Sequence, residues 1–287
     1  MALFIDPDET LQSLNFAEIA ERLNIEIYSG FKPDLTPWLG KNIIFDDLIA
    51  KRNTGTGTGT GTGNDHYEDQ CSAKYYYDIF NTIKSSLGEA NRIVEVGVFM
   101  GGSTSILAGC AHYLGIELDL IDINRNFLQF AHERARRSYH EAVESRVRMF
   151  HGTLPEYVRD VLMGEENVKI IIHHDGSHSF EQVIRDLGSL YYLNDKLHSI
   201  LIQDTHLRGV PKYFNFVDAA VYSIFGRDVT YAPIGSVYND SRLFEPNKWE
   251  GNYFMPGEPE GMYIPLSHNK FHYPHPKIGF SEFFESV

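Results

Sequence analysis

Cysteine and positive charge are both scarce in this sequence of 287 residues. Its two cysteines, Cys71 and Cys110, are too few for a disulfide framework and are typical of a protein from a reducing compartment. The 25 Lys and Arg residues are outnumbered by 39 Asp and Glu residues, which gives a formal net charge of −14. Because nucleic acids and anionic membranes attract basic surfaces, this charge argues against both as partners.

The sequence also lacks the apolar segments of membrane-spanning and secreted proteins. It contains no run of about 18 apolar residues, so no transmembrane helix is predicted. Residues 1–10 are acidic and have no cationic region of the kind that begins a signal peptide. We therefore expect a soluble, cytoplasmic protein, and the hydrophobic fraction of 43% is ordinary for a globular protein with a core.

A glycine-rich turn is the most informative feature that the sequence does contain. Residues 92–104 read RIVEVGVFMGGST, an apolar strand that ends at Gly97, loops through Gly101 and opens a helix at Ser103 and Thr104. The spacing G-x-x-x-G-G is neither the dinucleotide fingerprint nor the P-loop. A strand that turns at glycine into a helix N-terminus lets the backbone approach a ligand and directs free N–H groups at it. The segment therefore predicts a nucleotide-type site.

The next predicted strand supports this interpretation. Residues 117–121 are apolar enough to form a buried strand, and they end at Asp122, 25 positions after Gly97. A carboxylate at that strand end can accept hydrogen bonds from the ribose hydroxyls of an adenosine. A simpler interpretation is that Asp122 caps the following helix. The order of strand, loop, helix, strand and acid favours the ribose role.

Helices and strands alternate regularly through the middle of the chain. Continuous apolar runs such as residues 168–172 are what a parallel sheet buried on both faces requires. Residues 228–234 and 261–266 are predicted to add an antiparallel hairpin. The prediction is an α/β fold with a doubly wound, mostly parallel seven-stranded sheet and ligands at its carboxyl edge. The predicted strands are 92–97, 117–122, 146–151, 168–174 and 198–204, and the predicted helices between and after them are 103–114, 125–142, 154–163, 179–193 and 213–225.

Two segments flank or interrupt this alternation. Residues 1–63 are predicted to be an N-terminal arm, with a helix at 9–23, that ends in a five-fold Thr-Gly repeat at 54–63. The arm is a candidate surface for homo-oligomer formation. Residues 64–287 are predicted to form the main domain, with a helix at 69–87 before its first strand. An aromatic-rich insertion at 235–260 could cover the active site and stack on a substrate, or simply pack on itself.

Acidic and histidine side chains follow the fourth and fifth predicted strands. Asp175 comes after the run 168–172, and Asp204 comes after the next apolar run. Because the carboxyl ends of neighbouring strands meet at one edge, the two carboxylates can converge, which favours a raised pKa or a bound metal. Oxygen ligands select a hard ion such as magnesium. His178, at the start of a helix, is placed to be a general base.

The glycine loop, together with the Asp-x-x-His and Asp-Thr pairs, resembles the class I S-adenosylmethionine-dependent methyltransferases. The similarity is greatest to the metal-dependent macrocin and mycinamicin O-methyltransferases and to the group named for cephalosporin hydroxylase and rhamnosyl O-methyltransferase. It covers roughly residues 90–210. The resemblance implies that S-adenosylmethionine binds at Glu95, Gly97, Gly101, Ser103, Thr104, Asp122, Gly152, Thr153 and Asp175.

The resemblance also implies a metal-assisted reaction. Asp175, Gln203 and Asp204 would hold Mg²⁺ or another divalent cation, and His178 would take the proton of the acceptor hydroxyl. This chain has Gln203 where those families usually have glutamate. A glutamine can ligate through its carbonyl oxygen but brings no charge, so we expect weaker metal binding here.

Three other interpretations use the same residues. Asp175 and Asp204 could be structural caps. His173 and Asp175 form half of a 2-His-1-carboxylate iron site, with His206 or His178 as the distal ligand, which would make an oxygenase. The chain could also be a non-catalytic subunit with a methyltransferase fold. The prediction is an O-methyltransferase that acts on a small polyhydroxylated acceptor, such as a sugar or glycosylated natural product.

Overall fold

Sequence periodicity alone left the strand order open, and the computed structural model supplies it. It describes residues 3–28, 31, 67–68, 71–193, 195–209, 215–237, 253–255 and 257–286. The Thr-Gly repeat at 54–63, the rest of the arm beyond residue 31, and residues 238–252 and 256 of the predicted insertion lie outside the described residues. Predictions about those segments stay predictions.

One eight-stranded sheet forms the centre of the described part of the chain. From one edge to the other its order is β1-β4-β3-β2-β5-β6-β8-β7. Strands β4, β3, β2, β5 and β6 are parallel, whereas β8 runs antiparallel between β6 and β7. The strands are β1 Leu3–Ile5, β2 Arg92–Val96, β3 Glu117–Asp122, β4 Val147–His151, β5 Ile170–His174, β6 Leu197–Gln203, β7 Ala232–Val237 and β8 Pro259–Pro265.

The predicted doubly wound, mostly parallel sheet is confirmed, and so is the antiparallel hairpin of β7 and β8. The central sheet has one strand more than the predicted seven, because Leu3–Ile5 pairs antiparallel with β4. Three residues are too few to show a hydrophobic period, so the pattern of the sequence did not reveal β1. The N-terminal segment is therefore part of the sheet.

The helices lie between the strands close to where periodicity predicted them. A π-helical turn at Val158–Leu162 continues α5, and a 3₁₀ turn at Leu190–Leu193 continues α6. Among the helices of the described residues, none has the length and apolarity needed to cross a bilayer. The helices are α1 Phe16–Leu23, α2 Ala73–Ser85, α3 Gly102–Leu114, α4 Arg125–Arg146, α5 Leu154–Tyr157, α6 Phe180–Ser189, α7 Val217–Phe225 and α8 Phe280–Ser286.

The sheet is covered on both faces, which explains its continuous apolar strands. Successive side chains of a strand point to opposite faces. Ile93 accordingly packs in the core beneath α2 and α3, while its neighbour Val94 packs in the core on the other face. Strand β2 has β3 on one side and β5 on the other. The strand order reverses at β2, so the carboxyl edge beside it is the position at which doubly wound sheets bind ligands.

Candidate active site

Gly97 ends β2 and is pressed against the chain that leaves β5. Its φ of +82° lies in the left-handed region, which favours glycine. A Cβ at this position would lie 2.3 Å from the carbonyl oxygen of Asp175. The Asp175 N–H donates to the carbonyl oxygen of Val96 at 2.8 Å. The glycine therefore allows the loop after β2 and the Asp175 segment to touch.

Gly101 has a different role at the start of α3. Its φ is +80°, and an added Cβ would lie 2.9 Å from the Cα of Ala131 in α4. The missing side chain thus lets the two helices pack closely. Gly101 therefore affects the predicted cofactor loop indirectly, by allowing α3 to pack against α4.

Glu95 is fully buried, and its side chain points at the beginning of α3. Its Oε1 accepts a hydrogen bond from the Ser103 hydroxyl at 2.5 Å. Burial raises the pKa of Glu95 to about 8, although the bonds from Ser103 and Thr104 oppose the shift. Ser103 and Thr104 are buried as well. These three predicted cofactor residues lie under the loop and hold strand β2 to the helix.

Asp122 lies at the end of β3 with its carboxylate directed at the glycine loop. Its Oδ2 accepts the Val98 N–H at 3.0 Å, and its Oδ1 accepts the Asn124 N–H at 2.7 Å. Burial raises the pKa of Asp122, while these backbone bonds lower it. The cap of α4 is Asn124, which accepts from the N–H groups of Asn126 and Phe127, so the capping interpretation of Asp122 is wrong.

Gly152 and Thr153 follow β4 at the same edge of the sheet. The Gly152 N–H donates to the carbonyl oxygen of Asp122 at 3.0 Å. Thr153 caps α5: its hydroxyl accepts from the Glu156 N–H at 3.3 Å, and the Glu156 carboxylate accepts from the Thr153 N–H at 2.9 Å. The side chain of Thr153 is thus engaged in a capping box.

Ile123 is a residue of this edge that sequence reasoning missed. It directly follows Asp122, and 72% of it is exposed, the largest exposed fraction of any bulky apolar residue in the described chain. The His151 ring bonds to its carbonyl oxygen through Nε2 at 3.0 Å. An exposed apolar side chain beside a carboxylate suits the face of a nucleobase. The only signal in the sequence was its place after the acidic residue.

The second cluster of the edge joins β5, β6 and the start of α6. His178 Nε2 lies 2.7 Å from Asp204 Oδ2 and 4.0 Å from Asp175 Oδ1. One ligand atom from each of the three residues lies within 4.8 Å of the others, a grouping able to hold a metal ion. Each side chain is between 14% and 21% exposed, so a small molecule can reach them. The predicted convergence of Asp175, Asp204 and His178 is present in the structure.

The electrostatics of the two carboxylates differ. Burial and the nearby charge of Asp204 raise the pKa of Asp175. Burial acts in the same direction on Asp204, but the charge and hydrogen bond of His178 hold the pKa of Asp204 below its usual value. Asp204 also has φ of +61°, a conformation that is uncommon outside glycine and typical of residues held for function. Asp204 is thus the charged partner of the histidine.

Gln203 is buried and its side-chain amide lies between Asp175 and the thiol of Cys71. With the amide nitrogen directed at Asp175, it donates to the two carboxylate oxygens at 2.7 and 3.3 Å. The opposite orientation would set the amide oxygen against the carboxylate. The burial that raises the pKa of the Cys71 thiol keeps it protonated, so it can donate to the amide oxygen. Gln203 thus binds Asp175 and stands outside the Asp175–His178–Asp204 cluster.

The remaining histidines of this region are parts of the core. His173 is fully buried and its Nε2 bonds to the Tyr75 hydroxyl at 3.1 Å, while burial lowers its pKa to about 3. His174 bonds to Asp186 of α6 at 2.9 Å, which ties that helix to β5. Burial lowers the pKa of His206 to about 4. In the described residues, the possible metal cluster does not include His173, so the iron-site arrangement of His173 with Asp175 is not formed.

A comparison with protein families identifies the glycine loop and the strands around it. Residues 94–201 match the profile of a methyltransferase domain. This segment begins in β2 and ends in β6, so it contains the glycine loop, Asp122, Asp175 and His178. The segment is therefore similar to a methyltransferase domain. No protein of curated function matches the chain.

Several solved methyltransferases resemble the chain at low sequence identity. TomG, the O-methyltransferase of Streptomyces achromogenes involved in tomaymycin synthesis, was solved with S-adenosylmethionine. It is 16% identical to this chain with a TM-score of 0.45, and the match covers 79% of this chain and 91% of TomG. The O-methyltransferase from Bacillus cereus, solved with S-adenosylhomocysteine, is 12% identical with a TM-score of 0.35, and the match covers 60% of this chain and 69% of that one. The human methyltransferase 10 domain containing protein is 11% identical with a TM-score of 0.42, and the match covers 77% and 97%.

Proposed function

We propose that this protein is a class I methyltransferase that transfers the methyl group of S-adenosylmethionine to a hydroxyl oxygen of a small polyhydroxylated acceptor. Sugars and glycosylated natural products are the acceptor class. The proposal is supported by the contact between Gly97 and Asp175, because Asp175 belongs to the Asp175–His178–Asp204 cluster and this contact brings the cluster close to the glycine loop. A base beside the methyl donor is what an otherwise weakly acidic hydroxyl needs.

The cofactor is proposed to lie across the carboxyl ends of β2 and β3. The Asp122 carboxylate would bind the ribose hydroxyls, since each of its oxygens accepts one backbone bond and retains a lone pair. Ile123 would pack on the adenine. The loop from Gly97 to Gly101 would contact the remainder of the molecule through its backbone, while Glu95 and Ser103 hold the loop from below.

His178 is proposed to accept the proton. His178 Nε2 lies 2.7 Å from Asp204 Oδ2, so Asp204 would fix the ring and stabilise the imidazolium that forms. As the O–H proton passes to His178, the hydroxyl oxygen attacks the methyl carbon. The carbon–sulfur bond breaks, and its electron pair stays on sulfur, which leaves S-adenosylhomocysteine. Because the sulfonium is already activated, the protein contributes mainly orientation.

A divalent cation is the further element of the proposal. The carboxylates of Asp175 and Asp204, with their ligand atoms within 4.8 Å, fit such an ion, and when bound it would draw the acceptor hydroxyls together and lower the pKa of one. Gln203 fits less well, because its amide nitrogen faces Asp175. The residues therefore present two carboxylates, and we expect weak Mg²⁺ binding.

Two experiments test the proposed function. Calorimetric titration should show binding of S-adenosylmethionine and S-adenosylhomocysteine but not of NAD. With a panel of hydroxylated acceptors, a His178→Ala variant should bind S-adenosylmethionine normally yet turn over roughly 10²- to 10⁴-fold more slowly. His140→Ala, which alters a half-exposed histidine on α4, is the matched control.

The outcomes separate the competing interpretations. Binding of NAD in place of S-adenosylmethionine would overturn the proposal. Cofactor binding without methyl transfer to any acceptor would favour the non-catalytic subunit. Unchanged turnover in His178→Ala, with a lower melting temperature, would give that histidine a structural role only.

A further inference from the structure

The N-terminal segment, residues 3–28 and 31, packs against the outer side of the glycine loop. The Tyr28 ring stacks on the ring of Phe99, with centroids 5.9 Å apart and planes at 30°. Phe99 lies between Gly97 and Gly101 and has φ of +42°, which is unusual for a bulky residue. Phe127 of α4 meets the same ring edge-on at 5.0 Å. The conformation of Phe99 is thus held by aromatic contacts from outside the loop.

A second contact holds the next residue of the loop. The carbonyl oxygen of Met100 accepts a hydrogen bond from Arg134 Nη1 at 2.8 Å. The guanidinium of Arg134 in turn lies over the Phe31 ring, 4.9 Å from its centroid. Met100 is 1% exposed and belongs to the same apolar cluster as Tyr28. The N-terminal segment therefore contacts the loop directly at Phe99 and is linked to Met100 through Arg134 of α4.

This segment is attached firmly to α4, so its contacts with the loop have a fixed geometry. Gln129 bonds through its two amide atoms to the backbone of the segment, accepting from Asp8 N and donating to Asp6 O, each at 2.8 Å. Asn126 donates to the carbonyl oxygen of Leu23 at 2.8 Å. Six side chains of the segment are buried in one apolar cluster with Met100 of the loop and Phe130 of α4: Leu11, Phe16, Ile19, Ala20, Leu23 and Tyr28.

We infer that Tyr28 is a positioning residue for cofactor binding, acting through Phe99. By holding Phe99 in its left-handed conformation, the Tyr28 ring keeps the Val98 N–H on Asp122 and the loop in one arrangement. A loop that is ordered before the ligand arrives loses less conformational entropy on binding. The inference rests on the proposed function, since it assumes that S-adenosylmethionine binds at this loop.

By reciprocity, the cofactor must stabilise the docking of the segment as much as the docking stabilises cofactor binding. S-adenosylhomocysteine should therefore slow amide hydrogen exchange in residues 9–28 of the parent protein. It should slow exchange there less in a Tyr28→Leu variant. A purely structural role of Tyr28 would not produce this coupling.

The closing experiment is a double-mutant cycle. The dissociation constant of S-adenosylhomocysteine is measured for the parent, Tyr28→Leu, Phe99→Leu and the double variant. We expect each single change to weaken binding by about tenfold, and the double variant to be little weaker than either. Phe283→Leu, which removes an equally buried ring far along the chain in α8, is the control and should leave the affinity unchanged.

The amides of Val98 to Met100 provide a readout that needs no cofactor. In the ligand-free Tyr28→Leu protein they should exchange faster than in the parent, while the Phe283→Leu protein should match the parent. Equal affinity and equal exchange in Tyr28→Leu would overturn the inference. If the parent fails to bind S-adenosylhomocysteine, faster loop exchange in Tyr28→Leu would still show that Tyr28 orders the loop, while the proposed function would be overturned.

Discussion

The buried acid under the cofactor loop predicts a pH dependence of stability that can be worked out in advance. Glu95 has its pKa raised by burial from 4.5 to about 8. The folded protein favours the protonated form of Glu95. The contribution of this form to the unfolding free energy is therefore fully present below pH 4.5 and is lost as pH rises through about 8. The difference between these two values corresponds to roughly 4–5 kcal/mol of unfolding free energy.

Replacing Glu95 with glutamine removes this titration but retains an oxygen that can accept from the Ser103 hydroxyl. We expect the unfolding free energy of Glu95→Gln to exceed that of the parent by an amount that grows from about pH 5 to pH 8 and then levels off. The rise should approach 4–5 kcal/mol as an upper value, because relaxation around a buried charge reduces it.

Urea unfolding followed by circular dichroism at several pH values measures the effect, with the slope m checked for constancy. Glu181→Gln is the control, since that side chain is 76% exposed and its replacement should give a pH profile parallel to that of the parent. Parallel profiles for the parent and Glu95→Gln would refute the reasoning. They would mean that the buried carboxyl does not resist ionisation.

Three other changes test the remaining contacts of the site. Asp122→Ala should weaken S-adenosylhomocysteine binding by roughly 10- to 100-fold in calorimetry, as expected for lost charge-assisted bonds, whereas Asp122→Asn should weaken it less. Equal affinity in the parent and both variants would rule out the ribose role of Asp122. Gly97→Ala should lower the melting temperature sharply, because its Cβ would lie 2.3 Å from the Asp175 carbonyl oxygen; a normal melting temperature would contradict the close contact. Gln203→Glu should tighten Mg²⁺ binding, measured directly by calorimetry, since a third carboxylate joins Asp175; unchanged binding would exclude this position as a metal ligand.

Much of the architecture followed from local patterns. The runs around Ile93 and Ile171 predicted parallel strands because a strand buried on both faces must be apolar throughout. The glycines at 97 and 101 predicted a sharp turn because glycine can adopt positive φ, and both residues do so in the structure. The acidic residue at 122 was expected at a strand end because the apolar run before it stops there. Each of these inferences uses neighbours in the sequence, so no knowledge of distant contacts was needed.

Tertiary structure decided the rest, because the contacts involved join residues far apart in the chain. Strand β1 exists through its pairing with β4, and Tyr28 reaches Phe99 because the N-terminal segment packs on α4. The direction of the Gln203 amide depends on Asp175 on one side and the Cys71 thiol on the other, which sequence cannot place together. Sequence by itself thus determined the alternating fold and the residues that end its strands. Only folding determined that Asp204 is the carboxylate bonded to His178. Only folding determined that Gly97 allows the loop to touch Asp175 whereas Gly101 allows α3 to pack on α4, since these roles depend on distances between residues far apart in the chain.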